Sequence, residues 1–490
     1  MTGQMLPEAF MGKMERLLGA ELPDFLASYD KERLFGLRVN SLKLKTHQFR
    51  ELTKLELEPV PWSETGFYYR EGERPGKHPH YHAGLYYIQE PSAMAPAELL
   101  DVRPGDRVLD LCAAPGGKTT QLAGKLQGTG VLVANDVHPD RVKALVKNIE
   151  LSGVKNAVVL NENPDKLEKP FAGYFDKILI DAPCSGEGMF RKEEDMAKAW
   201  RPDWPEKYAA MQRTLLRQAA RMLRSGGQMV YSTCTFSPEE NEAMIAEFLV
   251  AHPLFEVEPI QERSGWMPGR PDWLGESGGR TAEVAGTARL WPHRLAGEGH
   301  FVAVLRHRGP AVPAESGAGP VAARAAKPPR REGKRPAKEA AADPREALAR
   351  FAAEQLAAAP YDAAGLVFRG EHVYAAPVGL PPLDGVRVIR PGWYLGSASG
   401  QRFAPSHALA LGLRAEDALR TVSFTADDPL AVRYLKGETL MLAQEDLHTA
   451  GEGVPAKGYC LVCVDGFPVG WAKWQDGLLK NEYPPGWRWT

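Results

Sequence analysis

The sequence predicts an α/β protein built on a doubly wound parallel sheet, with an α+β module before it and a small β-rich domain after it. Three observations point there. The stretch Val108–Thr119, VLDLCAAPGGKT, joins a short apolar run to a small-residue turn and the start of a helical pattern, as the first βα unit of such a sheet does. Strand-like and helix-like patterns then alternate through residues 101–307. Past them the composition turns abruptly to Ala, Pro, Gly, Arg and Lys, and compact β patterns resume only from about residue 378.

Taken in order, residues 1–100 mix helices with short strands. Met11, Met14, Leu17 and Leu18 share one helical face, Leu22–Ser28 begins a second helix, and Leu34–Asn40 reads as a strand. A basic and aromatic cluster follows: Tyr68, Tyr69, Arg70, Arg74, Lys77, His78, His80, Tyr81 and His82. Rings interleaved with cations suit single-stranded nucleic acid; the alternative is a solvated loop beside a small core. His78, His80 and His82 lack a metal-ligand framework, and no metal is expected.

Between 101 and 307, Val108–Leu111, Val131–Ala134, Ala157–Leu160, Lys177–Ile180 and Gln228–Ser232 are the strands, with Phe301–Leu305 closing the domain. Arg141–Leu151 and Tyr208–Leu223 are the clearest helices, the second stopped by Ser225-Gly226-Gly227. Ser264–Arg289, rich in Gly and polar residues, reads as a long loop. Residues 308–344 are a flexible basic linker containing Lys327–Arg331 and Lys334-Arg335, which either touches phosphates or merely tethers. Residues 345–377 form a small connecting segment with a helix over Ala347–Ala357. In 378–490, Val386–Ile389, Tyr459–Val464 and Val469–Lys473 are strands. Cys460 and Cys463 form the one CxxC; inside an apolar strand they are core residues, since one pair cannot complete a four-ligand zinc site.

The bulk numbers narrow the function. A chain of 490 residues favours about three domains. The net charge is -2, so nucleic acid would have to be held by local patches. No apolar run reaches the roughly 18 residues of a membrane span, and the amphipathic N-terminus lacks the features of a signal peptide. Five cysteines do not suggest a disulfide framework, so a cytoplasmic protein with reduced thiols is expected.

Ligands of doubly wound sheets bind where glycines let the backbone approach and a helix offers free N–H groups. The dinucleotide pattern G-x-G-x-x-G is absent, and the phosphate loop fails because Cys112 replaces its first glycine. The next strand ends in Asn135-Asp136, 20 residues after Gly116, where an acid can accept the hydroxyls of a ribose. A nucleoside cofactor without a pyrophosphate therefore fits better than NAD or ATP. Two later strand ends each carry a cysteine: Asp181-Ala-Pro-Cys184-Ser-Gly-Glu-Gly188 and Tyr231-Ser-Thr-Cys234-Thr235. A thiol beside a nucleoside cofactor suits methylation of a pyrimidine ring carbon. Thiolate addition to carbon 6 of cytosine makes carbon 5 an enamine nucleophile toward a methyl sulfonium, and a proton must then leave carbon 5. A free thiol is only a few per cent ionised at neutral pH, so the site must help its nucleophile to lose a proton.

LDLCAAPGGKT, DAPCSGEG and STCT, in this order, resemble the Sun-type RNA (cytosine-5) methyltransferase family over residues 101–307. Arg289–His293 with Gly299-His300-Phe301 resembles that domain's closing motif, and Leu37–Asn40 with Tyr87–Ser92 resembles the family's N-terminal RNA-binding module. The C-terminal segments further resemble the RsmF/YebU branch, which methylates small-subunit ribosomal RNA and carries a PUA-like RNA-binding domain, here 378–490. The resemblance implies a Rossmann-like fold and S-adenosylmethionine as cofactor, held by Cys112, Ala113, Ala114, Pro115, Gly116, Gly117 and Lys118 with Asp136 on the ribose. It makes Cys234 the nucleophile, Cys184 the residue that assists product release, Asp181 a neighbour of both cofactor and base, and Lys118 an aid in orienting the base. Many relatives place an Asp near the adenine where Asn163 stands here, 18 residues before Asp181; an amide oxygen can still accept from adenine N6. The expected partner is ribosomal RNA, alone or in the small subunit, and a monomer is expected.

Three rivals differ in kind. A DNA cytosine-5 methyltransferase would use Cys184 of the Pro-Cys motif as nucleophile. A tRNA cytosine-5 methyltransferase would share the catalytic motifs. A silent ribosome-assembly factor would bind RNA without catalysis, which the intact motifs disfavour.

Overall fold

The computed structural model describes residues 6–261, 265–275, 280–309 and 343–490. Most of the basic linker, with Lys327–Arg331 and Lys334-Arg335, lies outside them.

The centre is a sheet of ten strands. Its five parallel members run in the spatial order Leu223–Thr233, Phe175–Asp181, Arg107–Asp110, Val131–Asn135 and Ala157–Leu160. They are apolar on both faces because helices cover both, so Val108, Leu109, Val133, Val158 and Ile178 are buried. The winding reverses between Arg107–Asp110 and Phe175–Asp181, the switch point that opens a crevice beyond the carboxyl ends of the strands. On one side the sheet is extended by antiparallel His300–His307, Ala288–Leu290 and Trp266–Pro268, with Phe255–Val257 also pairing to His300–His307. The last two strands before His300 lie in the stretch read as a long loop. They are only three residues each and are defined by partners, which no local pattern announces.

The glycine stop after the long helix is also different. Trp204–Met222 ends at Leu223, already extended, and Ser225-Gly226-Gly227 falls inside the next strand. There Gly226 takes φ +75° and the pairing with Phe175–Asp181 shifts register, so the glycines make a bulge rather than a cap.

The N-terminal module carries a four-stranded antiparallel sheet, Leu57–Pro59, Gly66–Tyr69, Phe35–Val39 and Tyr86–Ile88. Its first helices, Glu8–Leu18 and Leu22–Ala27, pack Phe10 and Phe25 against Phe190, Trp200, Phe236 and Trp291 of the central domain. C-terminal to the linker, the boundary read at residue 377 falls inside a sheet. Leu366–Arg369 and His372–Ala375 pair on to Trp393–Ser399 and Arg402–Pro405. The β unit that follows starts only at Arg420–Phe424 and contains Gly458–Val464, Phe467–Gln475 and Leu478–Asn481. Val388–Arg390 belongs to neither. It covers the open edge of the central sheet by pairing with Ala157–Leu160, while Leu383, Val386 and Val388 pack on the central core. Its partner is over 200 residues away, so the sequence offered no sign of it.

The first and last units share one core: Leu37, Val39, Phe49 and Tyr86 pack with Val422, Tyr434, Val462 and Trp474. Cys460 and Cys463 are buried in Gly458–Val464. No helix among the described residues is long and apolar enough to cross a membrane.

Candidate active site

The crevice at the switch point is lined by the turn after Arg107–Asp110. Leu111 N–H donates to Leu179 O at 3.0 Å and Ala113 N–H to Asn135 O at 2.8 Å, tying the turn to both neighbouring strands. Ala114–Pro115 is cis, and Gly116, at φ +111°, opens the Gly117–Leu126 helix. A side chain at Gly117 would meet Tyr87 at 3.0 Å, so the N-terminal module presses on this helix start. Arg38 holds it there, donating to Gly117 O at 2.8 Å, Thr120 Oγ1 at 2.7 Å and Gln89 Oε1 at 3.0 Å.

Asp136 braces the same turn. Its Oδ2 accepts from Ala114 N–H at 3.2 Å and its Oδ1 from His138 N–H at 2.9 Å. Each oxygen keeps a lone pair for a further donor. Asn135 bridges Leu111 O and Glu162 O. Asn163 is exposed at the end of the Ala157–Leu160 strand, its N–H bound to Glu162 Oε1 at 3.0 Å. Cys112 is half-buried, and burial together with the Asp110, Asp136 and Asp181 carboxylates pushes its thiol well up. Burial also raises Asp110 to about 7, although Thr119 Oγ1 donates to its Oδ2 at 2.7 Å. Asp110 Oδ1 is buried without a hydrogen-bond partner among the described residues. Asp136 also faces the Arg141 guanidinium at 3.6 Å and Asp181 the Lys118 ammonium at 2.6 Å, so the acids of this turn are largely balanced and what they offer a ligand is acceptor oxygens.

The two cysteines meet. Cys184 Sγ and Cys234 Sγ are 3.3 Å apart, both free, and Cys234 N–H points at Cys184 Sγ at 3.3 Å. The Cys234 contact and burial push the Cys184 thiol well above its ordinary value, so Cys184 keeps its proton at neutral pH. Lys118 Nζ bonds Asp181 Oδ2 at 2.6 Å, and Ser232 Oγ donates to Asp181 Oδ1 at 2.9 Å. Burial alone would raise Asp181, but the Lys118 cation and these bonds hold it below the usual carboxylate range. The structure thus brings together Lys118, Asp181, Cys184 and Cys234 and sets Cys112 to Lys118 with Asp136 and Asn163 along the adjoining crevice.

Sequence reasoning missed the residue that joins the cysteine loops. Glu240 is fully buried. It accepts from Ser185 N–H at 3.0 Å, from Ser185 Oγ, and from Gln212 Nε2 at 2.9 Å. Ser185 Oγ also meets Thr235 Oγ1 at 2.7 Å, so the residues after Cys184 and after Cys234 hang on one carboxylate. The acidic run Pro238-Glu239-Glu240-Asn241-Glu242 so close to Cys234 was the available signal.

The basic and aromatic cluster is divided. Arg74 and Lys77 stay exposed. His80 is buried and bonds Asp465 at 2.7 Å; His82 bonds Tyr483 Oη at 3.1 Å and stacks on Trp489. These histidines join the first and last units rather than forming an open surface. Among the described residues no group of His, Cys, Asp and Glu could hold a metal ion.

Four family models match parts of this chain. Residues 97–306 match the family of the 16S rRNA methyltransferase RsmB/F, and 6–91 match the N-terminal domain of the 16S rRNA methyltransferase RsmF. Residues 350–413 match the first C-terminal domain of RsmF, and 421–489 its PUA domain. The ribosomal RNA small subunit methyltransferase F of Escherichia coli is 32% identical over 493 residues, covering 98% of this chain and 95% of that protein. The protein of the same name from Vibrio campbellii is 32% identical over 506 residues, covering 98% and 97%. Among solved structures, a methyltransferase homolog protein from Pyrococcus horikoshii superposes with a TM-score of 0.53 at 30% identity, over 61% of this chain and 99% of that one. NSun6 from Pyrococcus horikoshii, solved with SFG, has the same fold, with a TM-score of 0.52 at 22% identity over 63% and 100%.

Proposed function

Since this chain belongs to the RsmF family of 16S rRNA methyltransferases, we propose that it methylates carbon 5 of specific cytidines in small-subunit ribosomal RNA, with Cys234 as nucleophile. As a member it is an S-adenosylmethionine-dependent methyltransferase. Cys112 to Lys118, Asp136, Asn163 and Asp181 are the residues that would hold the cofactor, with the free lone pairs of Asp136 as acceptors for its ribose hydroxyls. When bound, the cofactor supplies an electrophilic methyl group.

The observation that carries the cysteine assignment is the contact of Cys184 and Cys234 at 3.3 Å beside the Lys118–Asp181 pair. Two thiolates at that distance would repel, so the pair holds at least one proton. Burial and the Cys234 contact favour the protonated form of Cys184, and Lys118 interacts electrostatically with Cys234, so Cys234 is the sulfur we assign to the attack. Its addition to carbon 6 forms one S–C bond and places the ring's electron pair at carbon 5, where the methyl is accepted. Lys118, held by Asp181 at 2.6 Å, supplies the N–H donor for the ring nitrogen that gains electron density. Once Cys234 is bound as a thioether, Cys184 no longer faces a second thiolate; it releases its own proton to water and, as the thiolate, takes the carbon 5 proton, whose electron pair re-forms the carbon 5–carbon 6 double bond and expels the Cys234 thiolate. The PUA domain and the N-terminal module grip the RNA, and the protein works in the cytoplasm. The test is transfer of labelled methyl from S-adenosylmethionine to purified 16S RNA and to small subunits, followed by bisulfite sequencing. The expected product is 5-methylcytidine at discrete positions; label on another base or another ring atom would refute the reading.

A further inference from the structure

His300 lies at the mouth of the same site. In the antiparallel pairing of His300–His307 with Leu223–Thr233, Phe301 faces Thr233 and Val302 faces Ser232. Continuing this register by one residue, past the end of the Leu223–Thr233 strand, sets His300 opposite Cys234. Directly opposed residues project to one face of a sheet, and alternate residues share it. His300 is therefore on the face of Cys234 and of Ser232, whose hydroxyl bonds Asp181. The loops around it are pinned: Gly299 N–H donates to Gly188 O at 3.2 Å and Gly188 N–H to Cys234 O at 2.9 Å.

The hydrogen bonds of His300 determine its tautomer. Its Nδ1 is 2.8 Å from Ser92 Oγ, and Ser92 Oγ also bonds Glu90 Oε2. The Glu90 carboxylate accepts from Ser92 and Ala93 N–H and from Glu298 N–H, each at 2.9 Å, as well as from the Ser92 hydroxyl. A carboxylate only accepts, so the single Ser92 hydroxyl hydrogen goes to Glu90, and Ser92 Oγ accepts from Nδ1–H. In the neutral ring Nε2 then carries a bare lone pair. The ring is neutral: burial and the Lys118 cation lower it to about 4. The ring feels the Lys118 and Asp181 charges, in keeping with its place on the face of Ser232, the partner of Asp181.

We propose that His300 is a specificity-determining residue whose Nε2 accepts a hydrogen bond from the exocyclic 4-amino group of the target cytosine. A uracil would bring a carbonyl oxygen to the same lone pair, acceptor against acceptor, and be rejected. A site built to pair one polar group rejects a ligand that lacks it more strongly than it rejects a change of shape. Glu90 and Ser92 are positioning residues that set the tautomer. They come from the end of the N-terminal module, so base choice is shared between two units of the chain.

This assignment rests on Cys234 attacking carbon 6, and the test keeps the two claims apart. The Cys184→Ala variant, in which the adduct accumulates, and the same variant with His300→Phe or His300→Gln added, are given cofactor and two RNAs that differ only at the target nucleotide, cytidine or 2-pyrimidinone riboside, which lacks the 4-amino group. The rate of covalent adduct formation is read on denaturing gels, and each variant is scored by the ratio of its rates on the two RNAs, which cancels any unfolded fraction. His300→Phe should lower the ratio about tenfold, the scale of one hydrogen bond. His300→Gln, which keeps an acceptor, should lower it less. If the Cys184→Ala parent makes adduct but His300→Phe slows both RNAs alike, the cysteine reading stands and the assignment of His300 is overturned. If the Cys184→Ala parent makes adduct with neither RNA, the cysteine reading fails and this inference falls with it.

Discussion

Replacing Glu240 separates packing from charge. Glu240→Ala removes the acceptor of Ser185 N–H, at 3.0 Å, and one acceptor of Gln212 Nε2, at 2.9 Å. Two buried donors left without it cost about 1–3 kcal/mol each, so about 2–6 kcal/mol together. Glu240→Gln differs. Its oxygen can take the position that serves both N–H groups, leaving its amide toward Ser185 Oγ, which can turn its own hydrogen to Thr235 Oγ1 at 2.7 Å. That variant should lie within about 1 kcal/mol of wild type at neutral pH. The pH dependence gives a second handle. Burial raises Glu240 from 4.5 to about 7, so the folded chain takes up a proton between those values. Its contribution is fully present below pH 4.5 and is lost as pH rises through 7, by about 3 kcal/mol. Glu240→Gln cannot titrate, so wild type should lose that much relative to it across this window. Urea denaturation from pH 4.5 to 8 measures both effects, and the rate of RNA adduct formation measures how well the cysteine loops are held. Glu240→Ala should slow the adduct on the order of 10- to 100-fold, since small misplacements of reacting groups are costly. Equal stabilities of the Ala and Gln variants, or a pH-independent difference between wild type and Gln, would refute this account of Glu240.

Asp136→Ala should weaken S-adenosylmethionine binding by about 1–3 kcal/mol in calorimetry, through lost ribose bonds and a loosened Ala114 N–H; unchanged affinity in the folded variant contradicts the assignment. His80→Ala removes the 2.7 Å bond to Asp465 between the first and last units. It should lower stability to urea by about 1–3 kcal/mol while leaving methyl transfer at saturating RNA near the wild-type rate.

The parallel strands of the central sheet, the glycine turn after Arg107–Asp110 and the strand-end positions of the two cysteines were legible because each is a local pattern. Apolar runs mark strands buried on both faces, and Cys184 and Cys234 follow such runs directly. What the sequence hid depends on partners far along the chain. Val388–Arg390 reads like any short strand, and only the open edge at Ala157–Leu160 decides which sheet receives it. For the same reason the boundary at 377 cut through a sheet whose strands span 366–405. His80 and His82 resemble a surface cluster until the last unit packs on them. Glu240 and His300 have ordinary contexts in sequence; their roles arise from burial beside Ser185 and from register opposite Cys234.

The central claim is that one cysteine attacks and the other releases. Wild type, Cys184→Ala, Cys234→Ala and the double variant are incubated with S-adenosylmethionine and labelled substrate RNA, boiled in detergent, and run on a gel. Cys184→Ala should accumulate a covalent RNA complex, because the bond made by Cys234 can form and accept the methyl but is not resolved. Cys234→Ala and the double variant should show none, and neither should make product. A complex from Cys234→Ala and none from Cys184→Ala would contradict the account and assign the attack to Cys184.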